Sequence, residues 1–140
     1  MEKTAIVKVT AYITRQMNGV KQLLVFEENG FEHLGFQVPG GTVESGEGLE
    51  EALIRELSEE AGITPHDIKP LGEYCYISEV NRAETRRYYF EAKADCAEQF
   101  THIVQSNDED NGWIYNYRWT DLHPSLKLHG YLGRMLHTIQ

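Results

Sequence analysis

The sequence predicts an α+β domain of mixed α/β layering. Three observations carry this expectation: runs of β-branched residues near the start, one amphipathic helical pattern in the middle, and further strand-like runs closed by a second helical pattern. The chain has 140 residues, 41% of them hydrophobic and 11% aromatic, which is enough to bury one sizeable core. One domain is expected across residues 1–140, because no repeat, low-complexity run or Pro/Ser-rich linker interrupts it.

Thr4 to Arg15 is rich in β-branched residues and predicts the first strand. Asn18-Gly19 marks a turn, Gln22 to Glu27 (QLLVFE) a second strand, and Asn29-Gly30 the start of a loop. The stretch FQVPGGTVESGEG mixes short extended pieces with four glycines and one proline. From Glu47 to Ala61 the pattern is helical, and Gly62 stands where the glycine that ends a helix belongs. Ile68 to Val80 and Arg87 to Ala94 predict strands, Phe100 to Gln105 a shorter one, Asn107 to Gly112 (NDEDNG) a polar turn and Trp113 to Leu122 another strand. Gly130 to Ile139 predicts a closing helix, with Leu132, Met135, Leu136 and Ile139 on one side.

The net charge of -9 argues against a nucleic-acid duplex as partner, since that needs a basic footprint. A nucleotide remains compatible if a cation stands between its phosphates and the acidic protein. Cys75 and Cys96 lie far apart without CxxC spacing, so neither a disulfide framework nor a zinc ribbon is expected. The six histidines form no HExxH or HxH pair. No apolar run reaches membrane-spanning length, and the N-terminal stretch has no signal-peptide core. A soluble, cytoplasmic, unprocessed protein with no membrane partner is the expectation.

The middle helix contains an anomaly. Leu49, Ala52, Leu53 and Leu57 form the apolar stripe of a core-packed helix. Glu56, Glu59 and Glu60 extend that same stripe through its last two turns instead of lying opposite it. Carboxylates three and four residues apart repel one another, and at a helix C-terminus they also oppose the macrodipole. A solvated acidic helix end is one reading. Inward-facing carboxylates neutralised by a hard divalent cation, Mg²⁺ or Mn²⁺, is the other. Ahead of the helix, Pro39-Gly40-Gly41 lets the backbone approach closely, and a glycine carbonyl is itself a hard-cation ligand.

Gly41, five residues, Glu47, seven residues, Arg55-Glu56-Leu57, one residue, Glu59-Glu60, one residue and Gly62-Ile63 together resemble the Nudix box, with every defining position filled from Gly41 to Ile63. The resemblance implies a small mixed sheet sandwiched between helices. It implies hydrolysis of a nucleoside diphosphate linked to another moiety, X, with Mg²⁺ or Mn²⁺ as cofactor and a small-molecule nucleotide as substrate. It makes Glu59 and Glu60 the principal metal ligands, Glu56 a further ligand or the base that activates water, and the Gly40 carbonyl an additional ligand. Arg55 is then the residue that orients a box glutamate, and Glu47 its partner. Many relatives are dimers; a homodimer is left open, with no feature of the chain defining an interface. The alternative is a non-catalytic nucleotide-sensing or partner-binding module of the same fold, which usually lacks a box glutamate; this chain keeps all of them.

Outside the box, the run Asp108-Glu109-Asp110 offers an extra ligand or base, with Glu109 the selected candidate, or else forms a solvated turn. Trp113, Tyr115, Tyr117 and Trp119 alternate along one strand face, either as core or as a stack for a nucleobase. Arg82, Arg86 and Arg87 are candidates to meet substrate phosphates, with Arg82 and Arg87 carried forward. Phe31 and His33 are placed at the entrance. Tyr74 and Tyr76 are sheet residues first. Relatives that prefer ADP-ribose or dinucleoside polyphosphates often carry a proline or tyrosine marker downstream of the box, and the stretch Ser78 to Arg82 has neither.

Overall fold

The computed structural model describes residues 5–140. Thr4, the expected start of the first strand, lies outside them. The elements in chain order are β1 (Ile6–Met17), β2 (Val20–Glu28), a 3-10 turn (Glu32–Leu34), β3 (Gly40–Thr42), α1 (Leu49–Ala61), β4 (His66–Ile77), β5 (Glu84–Lys93), β6 (Gln99–Ile103), β7 (Ile114–Asp121) and two further 3-10 turns (Gly130–Gly133 and Leu136–Thr138). The α+β layering expected from the sequence is the observed one.

The strands form a mixed sheet in the order β4-β5-β1-β2-β7-β6, with β3 paired to β1 off that path. β1 joins its two halves. Along Ile6 to Ile13 it runs parallel to β5. On its other edge, Lys8 to Thr10 pair with β3 and Thr14 to Met17 pair with β2, both antiparallel. The two halves of the sheet therefore part between β3 and β2.

Strand alternation divides the core between the two faces. Val9, Ala11 and Ile13 of β1, Leu24 and Phe26 of β2, and Phe90 and Ala92 of β5 point to one face, where α1 covers them with Ala52, Leu53, Leu57 and Ala61. Tyr12, Leu23, Val25 and Tyr89 point to the other, under Leu132, Met135, Leu136 and Ile139 of the C-terminal segment.

That segment is not the helix its apolar spacing predicts. Gly130 has φ +57° and Met135 has φ -110° and ψ 10°, so helical geometry is interrupted twice. The apolar side chains reach the sheet from short 3-10 turns instead. Two buried tyrosine hydroxyls hold those turns: Tyr12 donates to the Leu132 carbonyl (2.5 Å) and Tyr89 to the Tyr131 carbonyl (2.6 Å). Tertiary packing overrides the local pattern here.

The expected helix start at Glu47 also shifts. α1 begins after Gly48, because the Glu47 carboxylate accepts a bond from the Glu44 N–H (3.0 Å) outside the helix. At the far end, Gly62 (φ +66°) turns the chain and donates to the Leu57 and Ser58 carbonyls. No helix among the described residues is long and apolar enough to cross a membrane.

Candidate active site

α1 carries the acidic residues on its sheet-facing side. Glu56 and Glu60 are only 5% and 8% exposed. Arg55 organises their surroundings. Its Nε and Nη2 donate to the two oxygens of Glu47 (2.7 and 2.9 Å), Nη1 to Glu56 Oε1 and Glu59 Oε2 (3.0 Å each), and Nη2 also to the Thr42 carbonyl (3.0 Å). These bonds match the five N–H donors of a guanidinium. Arg55 thus ties the loop before α1 to two carboxylates of the helix. Its hydrogen bonds hold the Glu47 carboxyl below the usual range.

Two glycines let this helix end approach the sheet. A Cβ on Gly40 would stand 2.1 Å from the Val9 carbonyl oxygen, and one on Gly41 would stand 2.3–2.4 Å from the Glu56 carboxylate. At Gly40 the obstacle is backbone and only glycine fits, whereas a side chain at Gly41 would displace the Glu56 carboxylate. The Gly40 N–H points away from β1 and donates to Glu60 Oε1 (3.1 Å). In an extended strand the N–H and C=O of one residue point the same way, so the Gly40 carbonyl also faces the carboxylates.

The far end of α1 is anchored from β6 and β7. The Glu59 carbonyl accepts from the Gln105 N–H (3.0 Å) and from His102 Nε2 (2.9 Å), and the Glu60 carbonyl accepts from the Tyr117 hydroxyl (2.9 Å). The His102 partner is a backbone carbonyl, which spacing along the chain does not reveal.

Glu56 and Glu60 open on a cleft of about 960 Å³. Its acidic wall also contains Asp108, Glu109 and Asp110. Lys8 and Arg87 line the cleft too, Lys8 within reach of the Glu56 and Glu60 charges, and Phe26, Trp113 and Tyr115 supply an aromatic side. Burial pushes the Glu56 carboxyl up to about 7, against the pull of Arg55 and with help from Glu59 and Asp110. Burial pushes Glu60 well above the carboxylate range, reinforced by Glu56 and Asp110 and opposed by the Gly40 N–H. Glu59 is raised for the same first reason.

The sequence-predicted residues divide clearly. Gly40, Glu56, Glu60, Arg87 and Glu109 line the cleft. Glu59 is turned to Arg55 beside it. In the acidic run, Glu109 is exposed, whereas Asp110 is half-buried, accepts from the Ser106 hydroxyl (2.5 Å) and bears on all three helix glutamates. Arg82 sits in the exposed turn after β4 with φ +60°, and Arg86 points outward toward Glu73 (3.5 Å). Neither lines the cleft, and nor does Phe31, 51% exposed in the turn after β2. The aromatic alternation resolves both ways: Tyr117 and Trp119 pack in the core, Trp113 is 46% exposed at the cleft, and Tyr115 serves both. Sequence reasoning missed Lys8 and Phe26. A lysine inside a β-branched strand was the available signal for the first.

The acidic helix, the glycine pair and the surrounding sheet coincide with a known domain. The NUDIX domain family model matches residues 6–134, and the chain belongs to that family. Among curated relatives, a Bacillus subtilis protein named "Putative 8-oxo-dGTP diphosphatase YtkD" is 35% identical over 74 residues, covering 44% of this chain and 47% of that protein. An ADP-ribose pyrophosphatase of Methanocaldococcus jannaschii is 44% identical over 54 residues, covering 39% of this chain and 32% of that protein. The chain thus spans about half the length of the first and a third of the second. A MutT NUDIX hydrolase from Burkholderia pseudomallei has the same fold over 99% of this chain and all of that one, with TM-score 0.71 and 22% identity. The NUDIX domain of Shewanella oneidensis NrtR, solved with ADP ribose, matches over 99% and 88% of the two chains, with TM-score 0.71 and 18% identity.

Proposed function

We propose that this protein hydrolyses the pyrophosphate bond of a nucleoside diphosphate linked to another moiety X, by attack of water on phosphorus. The observation that carries the reading is the pair of buried carboxylates, Glu56 and Glu60, opening on a cleft with Gly40 and Gly41 packed against them. The two curated relatives are named for substrates of this class, 8-oxo-dGTP and ADP-ribose.

The donor set fits a hard divalent cation. Glu56, Glu59 and Glu60 supply carboxylate oxygens and Gly40 a carbonyl, the ligand chemistry that Mg²⁺ and Mn²⁺ prefer. Gly41 leaves the Glu56 carboxylate the space that a Cβ would fill. Among the described residues, no three His, Cys, Asp or Glu side chains already surround one point at ligand distance; Arg55 draws Glu56 and Glu59 to itself. When bound, the cation would neutralise charge on the phosphate oxygens and lower the pKa of water.

The residues of the chain have separable tasks. Arg55 fixes the plane of the Glu56 carboxylate through Oε1 and leaves it further lone pairs. Those serve a ligand, or take the proton of the attacking water. Asp110, and Glu109 at the cleft rim, are placed to add a further carboxylate. Trp113, exposed at the cleft, offers a face to a nucleobase, above Phe26 and Tyr115, which are buried and stacked on one another.

The test is release of phosphate or nucleoside monophosphate from a panel of canonical and oxidised nucleoside triphosphates, ADP-ribose, NDP-sugars, dinucleoside polyphosphates and capped RNA. It is run with Mg²⁺, with Mn²⁺ and with chelator, beside Glu56→Gln and Glu59→Gln. Metal-dependent release from a panel member, lost in the variants, is the expected result. Metal-dependent nucleotide binding without release would instead make the chain a nucleotide-sensing module.

A further inference from the structure

Lys8 and Arg87 are register partners across the parallel β1–β5 pair, and both point into the cleft. Each is partly buried, and among the described residues neither forms an ion pair. Arg86, one residue away, faces outward beside Glu73. Like charges directly opposite one another in a sheet are destabilising, and burial raises that cost by removing solvent. As structure alone the pair is unfavourable.

The Arg87 guanidinium is also held in place. Its Nη1 donates to Thr10 Oγ1 (2.8 Å), and its Nε and Nη2 both donate to the Tyr76 hydroxyl (3.1 and 2.9 Å). Tyr76 in turn stacks on Tyr131 with ring centroids 3.8 Å apart. These partners are neutral. They fix the direction of the guanidinium and leave its charge uncompensated. The cleft therefore sets two adjacent cations alongside its carboxylates, with Lys8 within reach of the Glu56 and Glu60 charges.

We propose that Lys8 and Arg87 hold the terminal phosphate of a nucleoside triphosphate, and that they select such substrates over diphosphates whose X carries no charge. This rests on the hydrolase reading above. Two fixed positive charges match a terminal phosphate dianion, and an arginine offers paired N–H groups to its oxygens. A neutral sugar at the same place gives the cations nothing to neutralise. Thr10 and Tyr76 are positioning residues that act through Arg87.

The experiment is steady-state kinetics on dGTP and on ADP-ribose with the whole chain and Mg²⁺, comparing wild type, Lys8→Met, Arg87→Gln and the charge-preserving Lys8→Arg. Losing one charge-assisted contact should raise KM for dGTP by roughly tenfold to a hundredfold, with a smaller change in kcat. The ratio of kcat/KM for dGTP to that for ADP-ribose should fall at least tenfold, and Lys8→Arg should restore most of it. Equal losses on both substrates would overturn the proposal. If the wild type turns over neither substrate nor any other member of the panel above, the hydrolase reading fails, and the selection is then read by calorimetry. A non-hydrolysable α,β-methylene triphosphate must bind at least tenfold more tightly than the corresponding diphosphate, and Lys8→Met must remove that difference. Equal binding of the two analogues overturns it.

Discussion

On one face of the sheet, α1 lays Leu53 and Leu57 against Val9, Ala11 and Phe90, then ends in glutamates held by one arginine. On the other face, residues 122–139 contain no α-helix and hang from the hydroxyls of Tyr12 and Tyr89. The first face commits its polar groups to a cleft. The second gives Lys8 and Arg87 to the same cleft and uses the hydroxyls of Tyr12 and Tyr89 to fix backbone, with Leu132 at the cleft as well as under the sheet. The helix carboxylates and the tyrosine anchorage thus lie on opposite faces of a single sheet, and substitutions at the two should fail differently.

Glu56→Gln is the largest expected effect. It should cut metal-dependent turnover by about 10²–10⁴-fold, the range for losing a proton-transfer group. The metal-free melting temperature at pH 8 should not fall, because the buried charge is removed. Loss of stability along with activity in this variant would mean that the Glu56 carboxylate also holds the fold together.

Gly41→Ala comes next. A methyl placed 2.3–2.4 Å from the Glu56 carboxylate must push it aside. Overpacking of this kind costs about 1–3 kcal/mol, read by urea unfolding, and turnover should drop with it. Tyr12→Phe on the opposite face should cost about 1–3 kcal/mol by leaving the Leu132 carbonyl unpaired, while kcat stays within a few-fold of wild type. A large fall in kcat would mean that the C-terminal segment governs the cleft.

The smallest effect is in pH. The Glu56 carboxyl is raised to about 7 in the folded, metal-free protein, above its unfolded value of 4.5. The folded state therefore binds more protons between those values, and the associated stability, complete below pH 4.5, is lost as pH rises through 7. Melting in chelator should show this as a wild-type advantage over Glu56→Gln that shrinks from pH 5 to pH 8. Mg²⁺ must displace those protons, so the stabilisation it gives should grow over the same interval. A flat difference would mean that Glu56 is charged throughout.

What could be read in advance follows the same division. The stripe of Leu49, Ala52, Leu53 and Leu57, the intruding glutamates and the closing Gly62 are local, and periodicity displays them. The strands were recognisable to within a few residues, because alternation survives wherever one face is buried. The C-terminal segment misled because Leu132, Met135, Leu136 and Ile139 have helical spacing but satisfy it through Tyr12, Leu23 and Tyr89. Lys8 and Arg87 meet only through the parallel register of β1 and β5, across most of the chain length. Asp110 is distinguished from Glu109 by its burial, by the Ser106 hydroxyl that holds it and by its reach to the helix glutamates. These are long-range or single-atom facts, and no window on the sequence contains them.

The parting of the sheet along β1 has a consequence for how this protein can diverge. The helix glutamates come from one continuous stretch, residues 41–63, that carries its own arginine and glycines. The rest of the cleft comes largely from β1, β2, β5 and the β6–β7 loop, which alone adds Asn107, Asp108, Glu109, Asp110 and Trp113. Exchanges at Lys8, Arg87 or Trp113 would redraw the lining of the cleft without disturbing that stretch. A duplicated copy could therefore reshape its cleft one residue at a time and keep the glutamates, Arg55 and the glycines in place at every step.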